Sequence, residues 1–154
     1  MAIASAVWHF LTIANERTPV LTRLSGSVNR PLGALRAGDS LSTGAESSAM
    51  LLYPDGTLVE LAAGTTIGVP LRSWHDRSKG LDLVVGRVTA EVVPQVAGSP
   101  MRLSSADAGA EVVGTKLSFQ YDGGRTRLEV MEGAVRFIPH AGNEHVLVKS
   151  GSFA

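Results

Sequence analysis

Residues 111–138, EVVGTKLSFQYDGGRTRLEVMEGAVRFI, constrain the fold more tightly than any other stretch of the chain. Period-two alternation sets Leu117 with Phe119, Leu128 with Val130 and Val135 with Phe137 on one face. Lys116, Gln120, Arg127 and Arg136 fall on the other. Asp122-Gly123-Gly124 supplies a hairpin turn between the first two ribbons, and Glu132-Gly133 opens the third. Such ribbons pair with one another and bury one side, and these contain no evident catalytic group.

The remainder of the chain continues in the same manner, as short apolar runs punctuated by 17 Gly and 7 Pro, without a long helical period. Strands are expected near 20–24, 27–29, 48–53, 58–61, 66–69, 81–85, 87–93, 101–104, 111–113, 116–121, 126–131, 134–139 and 144–148. A motif of an aliphatic, a glycine and a second aliphatic recurs around Gly26, Gly86, Gly114 and Gly133. Glycine between two strand-forming runs marks a turn, bulge or close backbone approach. The expected architecture is therefore all-β: a short twisted β-solenoid or sandwich-like stack of short strands, preceded by a short apolar N-terminal segment.

Composition narrows the function. At 154 residues one domain can fold without a metal or disulfide, and cysteine is absent, which removes thiol chemistry and cysteine–zinc sites. Lys plus Arg balances Asp plus Glu at 14 each, so no global charge draws the chain to nucleic acid. Residues 2–14, AIASAVWHFLTIA, are apolar but shorter than the ~20 residues a bilayer crossing requires, and they lack the basic start of a signal peptide. Two readings remain for them: the end of a membrane anchor before residue 19, or a short element packed on the domain. Residues 1–19 are thus read as apolar segment and linker, and 20–154 as the domain.

Chemical motifs are sparse. Residues 109–116, GAEVVGTK, space their glycines like a phosphate loop, but Thr115 precedes Lys116 and β-formers fill the loop, so a strand is expected there. His140 and His145 flank a turn with Glu144 beside them; two imidazoles and a carboxylate suit a transition metal, whereas solvent-exposed turn residues are the simpler reading. No metal or cofactor site is expected, and a cupin-type enzyme built on these histidines lacks a third convincing ligand. Asp55, Asp76, Asp107 and Asp122 sit in turns, where Asp bonds its own backbone. Trp74, His75 and Arg77 form an aromatic and basic loop cluster, either a partner contact or, through Trp74, a lid on the core.

One set of residues carries a family resemblance. Leu35-x-x-Gly38-Asp39-x-Leu41-x-Thr43-Gly44, Ser48-Ala49-x-Leu51 and Pro54-Asp55-Gly56-Thr57-x-Val59-x-Leu61 are followed in order by Leu83-x-x-Gly86-x-Val88-x-Ala90-x-Val92 and Met101-x-Leu103-x-Ser105-Ala106. Ala110-x-Val112-x-Gly114-Thr115-x-Leu117-x-Phe119 and Thr126-x-Leu128-x-Val130-x-Glu132-Gly133-x-Val135 complete the series. Together they resemble the FecR domain. That resemblance implies a non-enzymatic, periplasmic sensory or regulatory domain of an anti-sigma regulator, tethered to the inner membrane and working by recognition of a protein partner. Leu117 stands where the family commonly has an aromatic residue. A reading from a different class is a carbohydrate- or small-ligand-binding β-sandwich module with Trp74 as a stacking platform.

Overall fold

The computed structural model describes residues 18–71, 79–96, 98–142 and 144–154. It is all-β, with many short strands that do not close into a barrel. In chain order these are β1 (Val20–Ser25), β2 (Gly33–Ala34), β3 (Ser40–Ser42), β4 (Ser48–Leu52), β5 (Leu58–Leu61), β6 (Thr66–Gly68), β7 (Gly80–Val92), β8 (Met101–Ser104), β9 (Ala108–Val112), β10 (Thr115–Tyr121), β11 (Thr126–Glu132), β12 (Ala134–Pro139) and β13 (Val146–Lys149).

Strand β7 belongs to two arms of the sheet. Its first half pairs with β6 and, in parallel, with β8; its second half pairs with β5 and β10. One arm therefore runs β2-β1-β4-β5-β7-β10-β11 and the other β3-β6-β7-β8-β9-β12-β13, all antiparallel except β7 with β8. Both arms contribute to one core, including Leu51, Val59, Val88, Phe119 and Leu128 from the first and Ile67, Leu81, Leu103, Val112 and Val135 from the second. Burying each such side chain stabilises by roughly 1.5–3 kcal/mol.

The alternation read in residues 111–138 is the alternation observed: Leu117, Phe119, Leu128, Val130, Val135 and Phe137 are buried, and Lys116, Gln120, Arg127 and Arg136 are exposed. Elsewhere the structure corrects the expectation. The strands expected at 81–85 and 87–93 are one continuous strand. Within it the buried positions change phase, from Leu81 and Leu83 to Val88, Ala90 and Val92, which leaves Val84 and Val85 outside. Gly86 lies in this phase change with φ +106°, and a Cβ there would sit 2.6 Å from the Thr65 Cα. Against β6 the register skips Val84, a bulge that shifts the phase, and Gly86 follows it, still paired with Tyr121 of β10. Residues 27–29 form no strand; only Val28 bridges to Thr43, because the segment bonds to β3 partly through the Asn29 side chain. Strands β2 and β3 were not expected from sequence, being too short to show a period. The apolar stretch 2–14 lies outside the described residues.

Hydroxyls pin the corners where chain passes between arms. Thr65 Oγ1 accepts from the Arg87 amide at 3.1 Å and donates to the Arg87 carbonyl at 3.2 Å, gripping β7 just beyond Gly86. Thr43 Oγ1 donates to the Ala62 carbonyl at 2.6 Å and accepts from the Thr65 amide at 3.0 Å. Each of these threonines is buried and engaged, so it tightens a corner without leaving an orphan dipole.

Gly86→Ala is expected to cost about 3 kcal/mol, combining a left-handed φ with a backbone clash. Gly64→Ala, at φ +63° with open space around it, should cost only about 1 kcal/mol. Urea midpoints at unchanged m-value check both; equal costs would mean that close packing at Gly86 is unimportant.

Candidate interaction surface

At one end of the fold, three chain segments meet on a carboxylate. Asp55, in the β4–β5 turn, accepts the Thr57 amide at 2.9 Å, the expected local Asp turn. It also accepts from Lys79 Nζ at 2.5 Å and from Gln95 Nε2 at 3.0 Å, while Lys79 donates to Gln95 Oε1 at 2.8 Å. Burial alone would raise the Asp55 carboxyl, but the bonds from Lys79, Thr57 and Gln95 outweigh it and hold the group below its ordinary value of 3.8. Lys79 and Gln95 lie far from Asp55 in sequence, and no local pattern pointed to them. Asp122 is lowered too, by the Gly124 and Arg125 amides its carboxylate accepts at 2.9 Å each.

At another corner, Ser105 Oγ lies 2.5 Å from Thr126 Oγ1, and both hydroxyls contact Asp107. This cluster joins the β8–β9 turn to the start of β11. His140 adjoins it, its amide donating to the Asp107 carbonyl at 2.8 Å and its Nδ1 lying 3.3 Å from the Ala106 carbonyl oxygen. The imidazole is thus occupied with the turn. Glu144 and His145 are exposed, and among the described residues no three His, Asp or Glu gather as a metal set. Residues 109–116 are strand β9, a corner at Gly114 and the start of β10.

The outer faces carry shallow polar recesses. One, of about 240 Å³, is lined by Arg87, Ser118, Gln120, Arg127 and Glu129 on neighbouring strands of the first arm. Another, of about 390 Å³, includes Asp82, Arg102, Glu111 and His140 on the second arm. Their chemistry is that of a solvated sheet face, suited to surface contacts.

Sheet edges differ in how they are finished. Along β3, Asn29 bonds Ser42 through both its amide and its side chain, and Arg30 Nε donates to the Ser40 carbonyl at 2.6 Å. Along β11, residues 152–154 add as a short extended piece: Leu128 and Ala154 exchange two amide-to-carbonyl bonds of 2.8 Å, and Val130 bonds to Ser152 and Gly151. Phe153 lies beneath the Arg127 guanidinium, 5.2 Å from it. Strand β13, by contrast, pairs with β12 alone among the described residues. A strand near this position was expected at 144–148, but nothing local marked it as an open edge. Trp74, His75, Asp76 and Arg77 lie outside the described residues; before them comes Leu71, exposed, and after them Lys79, fixed by Asp55.

A family model described as FecR protein matches residues 39–136 of this chain. No curated protein matches it. Among solved structures, two crystal structures of a protein assigned as an anti-sigma factor from Parabacteroides distasonis share its fold, with TM-scores of 0.64 and 0.65 at 19% identity. Each alignment covers 75% of this chain and 53% of the other, so the chain spans about half the length of the solved proteins it matches. Among the described residues no helix is long and apolar enough to cross a membrane.

The Asp55 network gives a pH signature. Because its folded pKa lies below the unfolded 3.8, its stabilisation is present above that value and is lost as pH falls through the folded pKa. The melting-temperature gap between wild type and Asp55→Asn should be widest near neutrality and close on acidification below ~pH 4. A gap independent of pH would show that the charge itself contributes nothing.

Proposed function

This chain belongs to the FecR protein family, and on that footing we propose that it is a periplasmic domain, tethered to the inner membrane, that relays a signal by recognising a protein partner. It is a regulatory, non-catalytic domain acting in protein–protein signalling. The observation that carries the proposal is the family match across residues 39–136, supported by a fold shared with the anti-sigma factor structures.

The finer elements follow from the residues. Residues 1–19 serve as an apolar segment and linker, and 20–154 as the domain. The partner is a component of a sigma and anti-sigma system, met without chemistry. The pairing of two arms around one core supports describing the stack as sandwich-like. Trp74, His75 and Arg77, in the sequence between β6 and β7, contribute contacts, an indole and two basic groups matching the residue types that anchor interfaces.

Deleting residues 20–154 from the native protein, with membrane insertion and abundance held constant, should shift transcription of one sigma-dependent gene set several-fold. Trp74→Ala should move the same genes in the same direction by less. Transcript levels indifferent to the deletion would sink the proposal.

A further inference from the structure

We propose that the outer edge of β13 receives an extended strand from the protein partner, reading a carboxylate followed by three apolar residues. The inference rests on the reading of the domain as a protein-recognition module and names where and how it recognises. Unpaired strand edges template the addition of another chain, and folded proteins ordinarily shield them. Here residues 152–154 pair along β11, Asn29 and Arg30 bond the edge of β3 largely through their side chains, and β2 is only two residues long. The β13 edge has no such cover among the described residues, yet it is apolar: Val146 is 51% and Leu147 59% exposed.

The chemistry of the occupant follows from the register. Cross-strand partners on β12 are Phe137 for Val146, Arg136 for Leu147, Val135 for Val148 and Ala134 for Lys149. A further strand laid antiparallel extends each of these rows, so apolar side chains belong opposite Val146, Leu147 and Val148, and a carboxylate opposite Lys149. Read in its own chain direction, the added strand is acidic and then apolar three times.

A second copy of this chain fits the edge less well. Two antiparallel strands related by a twofold axis oppose residues an even number of positions apart. Glu144, the acidic residue flanking β13, is an odd number of positions from Lys149. No symmetric register therefore sets it against Lys149; centring on Leu147 opposes Lys149 to His145 instead. Charge complementarity accordingly selects a foreign strand.

The test is hydrogen exchange on the folded domain with the blocked peptide Thr-Glu-Val-Ile-Val-Thr as probe. At millimolar peptide, the outward amides of Val146–Lys149 should exchange at least tenfold more slowly, with no change at the edge covered by residues 152–154. The same peptide N-methylated at alternate backbone nitrogens should give no protection. Leu147→Glu and Val146→Lys, both at exposed positions, should weaken the effect tenfold or more at unchanged melting temperature. Unaltered exchange at millimolar peptide, or equal protection in Leu147→Glu, overturns the proposal. Protection that grows with protein concentration alone overturns it in favour of a second copy. If deletion of the domain shifts transcription while Leu147→Glu in the native protein does not, the edge fails and the regulatory reading stands; if neither does, that reading fails.

Discussion

The bend of β7 at Gly86, gripped by Thr65, is the constraint on which the rest of this fold depends. A single strand passes from one arm to the other and exchanges its inward-facing set in doing so, from Leu81 and Leu83 to Val88, Ala90 and Val92. Without the exchange, one of the two runs would point to solvent, because a strand's side chains alternate strictly. The crossover needs a residue that tolerates φ +106° with Thr65 pressed against it, and only glycine meets both demands. Hydroxyls then replace ladder contacts at the corners, as Thr65 does for Arg87 and Thr43 for Ala62.

Much of the architecture was legible in the sequence because burial on one face writes itself as alternation. That signal located β10, β11 and β12 and sorted their inward and outward residues. It failed where its physical basis is absent. Strands β2 and β3 have too few residues to display a period, and Asn29 takes part in an edge through its side chain, which no pattern of hydropathy reports. Between Val85 and Arg87 glycine was read as a break, whereas the backbone continues through it. The phase change was not read there, and its three-dimensional meaning depends on Thr65, more than twenty residues away.

Surface function was less legible than fold for a similar reason. The turn chemistry of Asp55 follows from Asp-Gly-Thr alone, yet the charge that complements it comes from Lys79, more than twenty residues on, and a further donor from Gln95 beyond β7. Likewise, the residues of β13 look like those of any half-buried strand. Its open side among the described residues emerges only from the sheet order, in which it stands at one end. The aromatic and basic cluster at 74–77 was conspicuous as sequence because composition is a local property; pairing is not.

Sharing β7 also couples the two arms mechanically. Both hydrogen-bond to the same covalent ribbon, so neither can slide along it by one residue without turning a row of aliphatic side chains outward. The smallest slip that keeps the same faces buried is two residues, about 7 Å along the strand. Relative displacement of the arms along β7 is accordingly confined to whole two-residue steps.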